Sequence, residues 1–582
     1  MNTYTDHALS AGAAFVYLMS IALAALATPV VLYLYRRALV RNQRLAAEAY
    51  EESESHSNTD EALGNDTHTA HKVSLSYVQL EEKPLEKEAY RKVQKKLDAK
   101  MRLKLAAYSL GGVAYSAVFT WAVMHYSISE PDHLFTYFVV FLFPFFIVSC
   151  LIYSTSLAKT MWILLSYCLL LVLSIRLFEP NLIVGFESLS YDFDLSFKIF
   201  KAVSILVLPA GIFFLNRRVR SIGFMSAFYF LVVLAGAYGV RHIFNLENKL
   251  SEWLNISVGL DFFLNLLLLV PLFLLVGWAA VKYLSGLYVR KSISDEKLMI
   301  DVIVFTFAVG HSVYLITKTT QWLLIGLFGF LAYLLVTNLM FILIARRHSN
   351  NQLSPVPLLY LRVFDLRKRG ERFFNRFSKR WRSLGCINLI SGIDLVKSTV
   401  EPDEFFDFVR GRMGSNFIKS KEDLAQRISR LDVSADYDSR YRINEFFCHG
   451  NTWKPTMQQL VHASDVVLMD LRSFNDENQG CLYELEQLVG FHDIGALLLL
   501  VDTTTDTDFL QNELQKIWRN LNVRSPNYNK PNASIHTFLY KERFTSASLR
   551  KLEAFLIAAQ SRDRPHAKSE IFKTSSPQAV SI

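Results

Sequence analysis

The spacing of apolar and polar positions changes character near residue 350. Before it, runs of roughly 20 apolar residues, the length that crosses a bilayer as a helix, recur. They fall near 12–35, 105–127, 134–154, 160–178, 199–216, 221–241, 258–284, 298–316 and 322–345, which predicts nine spans. After it, 358–364, 386–391, 441–447, 465–471, 496–502 and 534–540 are short apolar runs that predict strands. The amphipathic stretches between them, such as "PDEFFDFVRGRM", "WKPTMQQLVHA" and "GCLYELEQLVGF", predict helices. Strands alternating with helices imply a mostly parallel sheet covered on both faces. The expected fold class is therefore an α-helical multispan membrane domain followed by an α/β domain with a mostly parallel sheet. The expected parts are a first anchor at 1–35, a partly disordered cytoplasmic loop at 36–104 and a multispan domain at 105–347 with about eight further helices. The α/β domain is expected at 355–561 and a disordered tail at 562–582.

Charge decides orientation. Of 582 residues 51% are hydrophobic, too many for a wholly soluble chain, so the lipid bilayer is the first partner. The net charge of +9 is not spread as a nucleic-acid footprint. Arg36-Arg37, Arg217-Arg218, Arg290-Lys291 and Arg346-Arg347 each close an apolar run. Basic and Lys/Arg-poor connections alternate, which places the N-terminus outside and everything after Arg347 in the cytoplasm of a plasma or bacterial inner membrane. The acidic stretch 51–70 is too polar to order itself, and His68 and His71 beside it are expected at the surface. Cys150, Cys168, Cys386, Cys448 and Cys481 form no CxxC pair or zinc spacing, so reduced thiols and no metal site are expected.

Ionisable groups inside spans mark function, since they are costly in hydrocarbon. Lys201, Asp261 and Asp301 lie near span ends, and of His125 and His311 only His311, in "FAVGHSVYLI", is central. A hydrogen bond between helices is the first expectation for His311, and transport the alternative. Pro144, Pro209 and Pro271 are placed to kink their helices.

In parallel α/β sheets, ligands bind beyond the carboxyl ends of the strands. That directs attention to Phe364, Asp365 and Arg367, to His449 and Asn451, and to the segment from Asp470 to Gly480. No GxxxxGK[ST], GxGxxG after a strand, GxSxG or HExxH occurs, which removes P-loop NTPases, dinucleotide oxidoreductases, serine hydrolases and zincins. Glu484, one turn into the helix that follows "DVVLMDL", projects toward the ligand crevice. Its bland role is a first-turn acid interacting with the helix dipole, worth at most about 1 kcal/mol at an exposed site. Asp470 is either a ribose-hydroxyl acceptor or a turn residue. Arg362 and Arg367 meet either a phosphate or the anionic inner leaflet. Cys481 is expected to be a small packing residue, and Trp453 a core or interface residue.

"NQGCLYEL" resembles the Ser-x-Trp-Cys-x-x-Glu-Leu helix of TIR domains in the spacing of Cys481, Glu484 and Leu485, with Asn478 and Gly480 in place of the Ser and Trp. It also resembles the Asp-x-Gly-Thr-x-x-Glu-x-Gly helix of nucleoside deoxyribosyltransferases at Gly480 and Glu484, departing at Asn478, Cys481 and Glu486. The resemblance implies a flavodoxin/TIR-like sheet and a catalytic Glu484 at the sugar carbon of an N-glycosidic bond. It also implies NAD or a related nucleotide as substrate, no cofactor, and self-association. Asp470, Arg367, Phe364 and Gly480 would bind the substrate. The alternatives are a non-catalytic membrane sensor or adaptor, and a transporter with a regulatory cytoplasmic domain.

Overall fold

The computed structural model describes residues 2–55, 72–77, 84–126, 134–153, 157–178, 220–244, 258–316, 319–348, 355–363, 367–391, 400, 402–448, 452–530, 532–541 and 545–562. The expected span at 199–216 with Lys201 and Pro209, most of the 51–70 insert with His68 and His71, and the tail after 562 lie outside these residues. The chain forms two units. One comprises Met1–Ala38, Ala99–Gln352 and Ser398–Gly411, and the other Leu39–Asp98, Leu353–Lys397 and Arg412–Ile582.

The first unit is built on α1 (Asn2–Ser55), α2 (Pro84–Tyr126), α3 (Leu134–Phe141), α4 (Phe143–Tyr153), α5 (Leu157–Phe178), α6 (Arg220–Ile243), α7 (Val258–Val289), α8 (Asp295–Leu315) and α9 (Trp322–His348). Among the described residues six stretches are long and apolar enough to cross a membrane: Phe15–Glu52, Val93–Tyr126, Leu134–Ile152, Ile222–Ile243, Leu267–Val289 and Trp322–Ile344. The expected runs at 160–178 and 298–316 are also helical, as α5 and α8. Leu267, Leu275 and Leu335 are exposed, as lipid-facing side chains would be, while the α6 and α8 sequences supply a packed interior with Leu231, Ile300 and Val304. Ser294 starts α8 by accepting from the Lys297 amide, with Asp295 and Glu296 in the first turn where the helix dipole favours acids. Of the expected kinks, Pro144 coincides with a break at Leu142, while Pro271 lies inside a continuous α7.

Where it is described, the expected loop at 36–104 is helix or strand. Good helix formers in "RNQRLAAEAYEE" carry α1 on to Ser55, α2 starts at Pro84, and Lys72–Tyr77 is a strand, β1. β1 belongs to the sheet of the second unit, with β2 (Leu358–Arg362), β3 (Ile387–Ser391), β4 (Ile443–Phe447), β5 (Val466–Asp470), β6 (Leu497–Val501) and β7 (Asn532–Leu539). The order is β1-β7-β6-β5-β2-β3-β4, and every pairing is parallel. Without β1, the strands read 3-2-1-4-5-6 in chain order, the doubly wound arrangement, which reverses direction between β2 and β5.

The connecting helices are α10 (Arg367–Trp381), α11 (Pro402–Val409), α12 (Lys421–Ser429), α13 (Trp453–Ala463), α14 (Gln479–Phe491), α15 (Thr507–Arg519) and α16 (Ser546–Arg562). Alternate residues on each strand face opposite sides. Leu359, Leu361, Val467 and Met469 pack with Met457, Leu485 and Leu514 of α13–α15. Leu358, Tyr360, Val466 and Leu468 pack with Phe373, Phe377 and Trp381 of α10 and Leu552 of α16. α11, although it lies between β3 and β4 in the chain, belongs to the helical unit. Tyr35 Oη there donates to Glu404 at 2.7 Å, and Tyr288 meets Phe406 at 5.4 Å between ring centroids.

β1 is an edge strand, and its outward groups are covered. Gln515 Oε1 accepts from Val73 N at 3.2 Å, Gln511 Oε1 accepts from Leu75 N at 3.1 Å, and Gln511 Nε2 donates to Val73 O at 2.7 Å. Such covering protects an edge from pairing with another chain. Replacing both glutamines by alanine is expected to speed amide exchange at Val73 and Leu75 about fivefold, since one net hydrogen bond contributes about 1 kcal/mol. Unchanged exchange would show that β7 alone holds the strand.

Candidate functional site

The crevice beyond the carboxyl ends of β2 and β5 is where this strand order places a ligand site. α10 leaves β2 on one face and α14 leaves β5 on the other. The loop after β5 is knitted to the loop after β6. Thr505 Oγ1 donates to Leu471 O at 2.9 Å, Asp506 N donates to Phe474 O at 3.0 Å, and the hydroxyls of Ser473 and Thr504 are 2.9 Å apart. Ser473 sits at φ 59°, a left-handed conformation that non-glycine residues adopt only when neighbouring contacts enforce it.

Glu484 lies in α14 and is 3% exposed, so the surface role beside the helix dipole does not apply. Its Oε2 is buried with no hydrogen-bond partner. Burial pushes its carboxyl up from 4.5 to about 8. A buried acid held by nothing costs stability, and in native proteins such groups cluster at functional sites. One turn earlier, burial and then the fields of Glu484 and Asp470 push the Cys481 thiol up, which makes it a packing residue and not a nucleophile. Gly480 opens the helix beside empty space, since a side-chain carbon added there would meet nothing within 4 Å.

Asp470 leaves the sheet on the opposite face from Glu484, by strand parity with Leu468 and Tyr360. It is 0% exposed, and both its oxygens are engaged. Arg472 Nε donates to Oδ1 at 2.7 Å and Arg472 Nη2 to Oδ2 at 2.6 Å, while Tyr360 Oη donates to Oδ2 at 3.1 Å. Arg472, 1% exposed, lies over the rings of Tyr540 at 4.4 Å and Phe373 at 5.0 Å. This is a bidentate ion pair sealed in aromatic surroundings. The ribose-acceptor role expected of Asp470 therefore meets a carboxylate already committed, because an arginine two residues along the chain folds back onto it.

Arg367 opens α10, but its side chain lies outside the described residues, as do Phe364, Asp365, His449 and Asn451 altogether. Arg369, in the same first turn, is described. It holds Asp502 at 2.5 Å with its own side chain 43% exposed. Burial alone would raise Asp502, but bonds from Thr504 and the Arg369 and Arg472 guanidiniums hold it below the usual carboxylate range. Arg369, Arg472 and Asp502 were not singled out from sequence. The signal was present for Asp502, which like Asp470 is an aspartate ending an apolar run. Arg362, at the end of β2 and in register with Asp470, is buried. Trp453 packs edge-on to Tyr483 at 5.2 Å and stays structural. Among the described residues no three His, Cys, Asp or Glu side chains are grouped to hold a metal ion.

Together these features define the coarse class: a helical unit with, among the described residues, six apolar, membrane-length helices, joined to an all-parallel, doubly wound α/β unit. No protein-family model, no curated protein and no solved structure matches the chain.

Proposed function

We propose that the chain is a membrane-anchored signalling or defence-type protein whose cytoplasmic α/β unit is TIR-like and hydrolyses the N-glycosidic bond of NAD or a related nucleotide. The observation that carries this reading is Glu484: a buried carboxyl with an unpartnered oxygen, on the helix leaving β5 at the point where the strand order reverses. The strand order is compatible with it. If β4 is left out, β2, β3, β5, β6 and β7 follow 2-1-3-4-5, the flavodoxin-like order. Basic clusters at Arg290-Lys291 and Arg346-Arg347 favour a cytoplasmic α/β unit.

Breaking a bond from ribose to a cationic nicotinamide builds positive charge on the sugar, and a fixed carboxylate stabilises or captures it. Glu484 is largely protonated near neutral pH when nothing is bound. A cationic substrate beside it favours the ionised form. Arg367 and the half-exposed Arg369, both in the first turn of α10, are the phosphate contacts.

Full-length protein incubated with NAD is expected to release nicotinamide, and Glu484→Gln to lower that rate at least a hundredfold. Because kcat/KM reports the free enzyme, it should rise with pH and level off above about 8. Equal rates for the wild type and Glu484→Gln would sink the enzymatic reading. The commitment of Asp470 to Arg472 favours a second reading, a module that binds the nucleotide without cleaving it. Saturable NAD binding with no nicotinamide release distinguishes it.

A further inference from the structure

The interior of the helical unit carries ionisable and hydroxyl groups that no reading of the α/β unit uses. One network sits near the start of α8. Lys297 Nζ donates to Asp301 Oδ2 at 2.8 Å, and Tyr333 Oη of α9 donates to Asp301 Oδ1 at 2.7 Å. All three side chains are buried. A second network lies about 15 Å further along α8, ten residues at 1.5 Å each. There His311 Nδ1 and Tyr115 Oη of α2 share a hydrogen bond of 2.8 Å.

The second network is incomplete. His311 Nε2 is buried with no partner, inside rings of Phe119, Phe141, Phe307 and Tyr115 at 5.1 to 5.9 Å. Tyr17 Oη of α1, beside Gly310, is also buried and unpartnered, as are Ser116 Oγ and Thr120 Oγ1 on α2. Ser312, by contrast, satisfies its hydroxyl on the Ala308 carbonyl at 2.7 Å. Unpaired polar groups in so apolar a setting call for ordered water or a ligand.

The backbone is irregular at the same place. The span Leu134–Ile152 is broken between Phe141 and Phe143, because Pro144 has no amide hydrogen to continue the ladder. Phe141, on one side of the break, faces His311. Phe145, on the other, lies between the two networks, 5.6 Å from Tyr333 and 5.4 Å from Tyr115. Gly112 makes room for that ring, since any side chain there would overlap it. Broken helices inside a membrane persist where they line a polar or hydrated cavity.

We propose that α1, α2, α4, α8 and α9 form a proton-transfer path, with the Lys297–Asp301–Tyr333 and Tyr115–His311 networks as its two polar stations and the Phe145 ring as the apolar barrier between them. Water held by Tyr17, whose ring lies beside Gly310, feeds the second station. A hydronium ion formed on that water protonates His311 Nε2 and leaves neutral water, the imidazolium releases its Nδ1 proton to Tyr115 Oη, and this hydroxyl gives its own proton to a second water on the side of the Phe145 ring. No electron moves, and the imidazole, left with its proton on Nε2, regains the Nδ1–H tautomer by reorienting before the next transfer. Ionisable groups buried within spans are the expected parts of such relays.

The test is full-length protein in liposomes enclosing a pH-sensitive dye, with a potassium diffusion potential imposed by valinomycin. The wild type should carry protons faster than protein-free liposomes. His311→Phe and Asp301→Asn should each slow it at least tenfold, and Phe145→Ala should raise the rate severalfold. A wild-type rate equal to that of empty liposomes, or one untouched by His311→Phe, overturns the proposal. Tyr17→Phe decides if His311→Phe fails to fold. Loss of a water-bonded hydroxyl slows the flux and lowers the melting midpoint. A higher midpoint with unchanged flux means the hydroxyl was dry, which overturns the path.

Discussion

Glu484→Gln is expected to stabilise the α/β unit above neutral pH while abolishing the proposed hydrolysis. An acid raised to about 8 in the fold, against 4.5 when unfolded, binds more protons folded than unfolded between those values. Stability must then fall as pH rises through that window and flatten beyond it. At about 1.4 kcal/mol per pH unit, the loss reaches roughly 5 kcal/mol as an upper limit. Glutamine has the same shape and no charge to desolvate, so its unfolding free energy should lack this slope. Hydrogen exchange of the β5 and α14 amides in the full-length protein at pH 5 and pH 8.5 measures it. If wild type and variant lose protection equally between the two pH values, the carboxylate is better solvated than its burial indicates. A gain in stability together with a loss of turnover is the mark of a residue kept for chemistry.

The second large effect concerns the other face of the sheet. Arg472→Met leaves the Asp470 carboxylate buried with the Tyr360 hydroxyl and a long bond from the amide of residue 472 but no countercharge, and breaking a buried pair from one side typically costs about 3–5 kcal/mol. The double variant Asp470→Asn with Arg472→Met should recover much of that loss, because it removes the stranded charge. Both are read from the denaturation midpoint of the full-length protein, followed by exchange at β5. A single variant as stable as the wild type would mean that the pair is solvated and Asp470 is free to meet a ligand.

The two central strands β5 and β6 were legible because each is an unbroken apolar run set off by polar or glycine-containing breaks. "DVVLMDL" and "ALLLLVD" predicted β5 and β6 to within a residue or two. The helix of Glu484 followed from its position after such a run. β1 was not legible. "KVSLSY" alternates as a strand should, but it sits in a polar stretch, and its partner strand Asn532–Leu539 is more than 450 residues away. Nothing local announces that pairing. Likewise "PDEFFDFV" reads as one more helix on the sheet, yet its buried Phe405 and Phe406 belong to the helical unit. The tie between Asp470 and Arg472 needed side-chain direction as well as sequence, and opposite parity is also what separates Asp470 from Glu484.

The two units exchange segments: a strand drawn from between the first two membrane-length helices, and a helix drawn from the connection between β3 and β4. Neither unit can therefore be inherited as a cassette. A gene fusion joined at a single point near residue 350 would strip β7 of its cover and carry Phe405 and Phe406 away from the surface that shelters them. Such a chimaera would expose two adhesive surfaces at once, so recombination that shuffles this α/β unit onto other anchors must move all of these pieces together or fail.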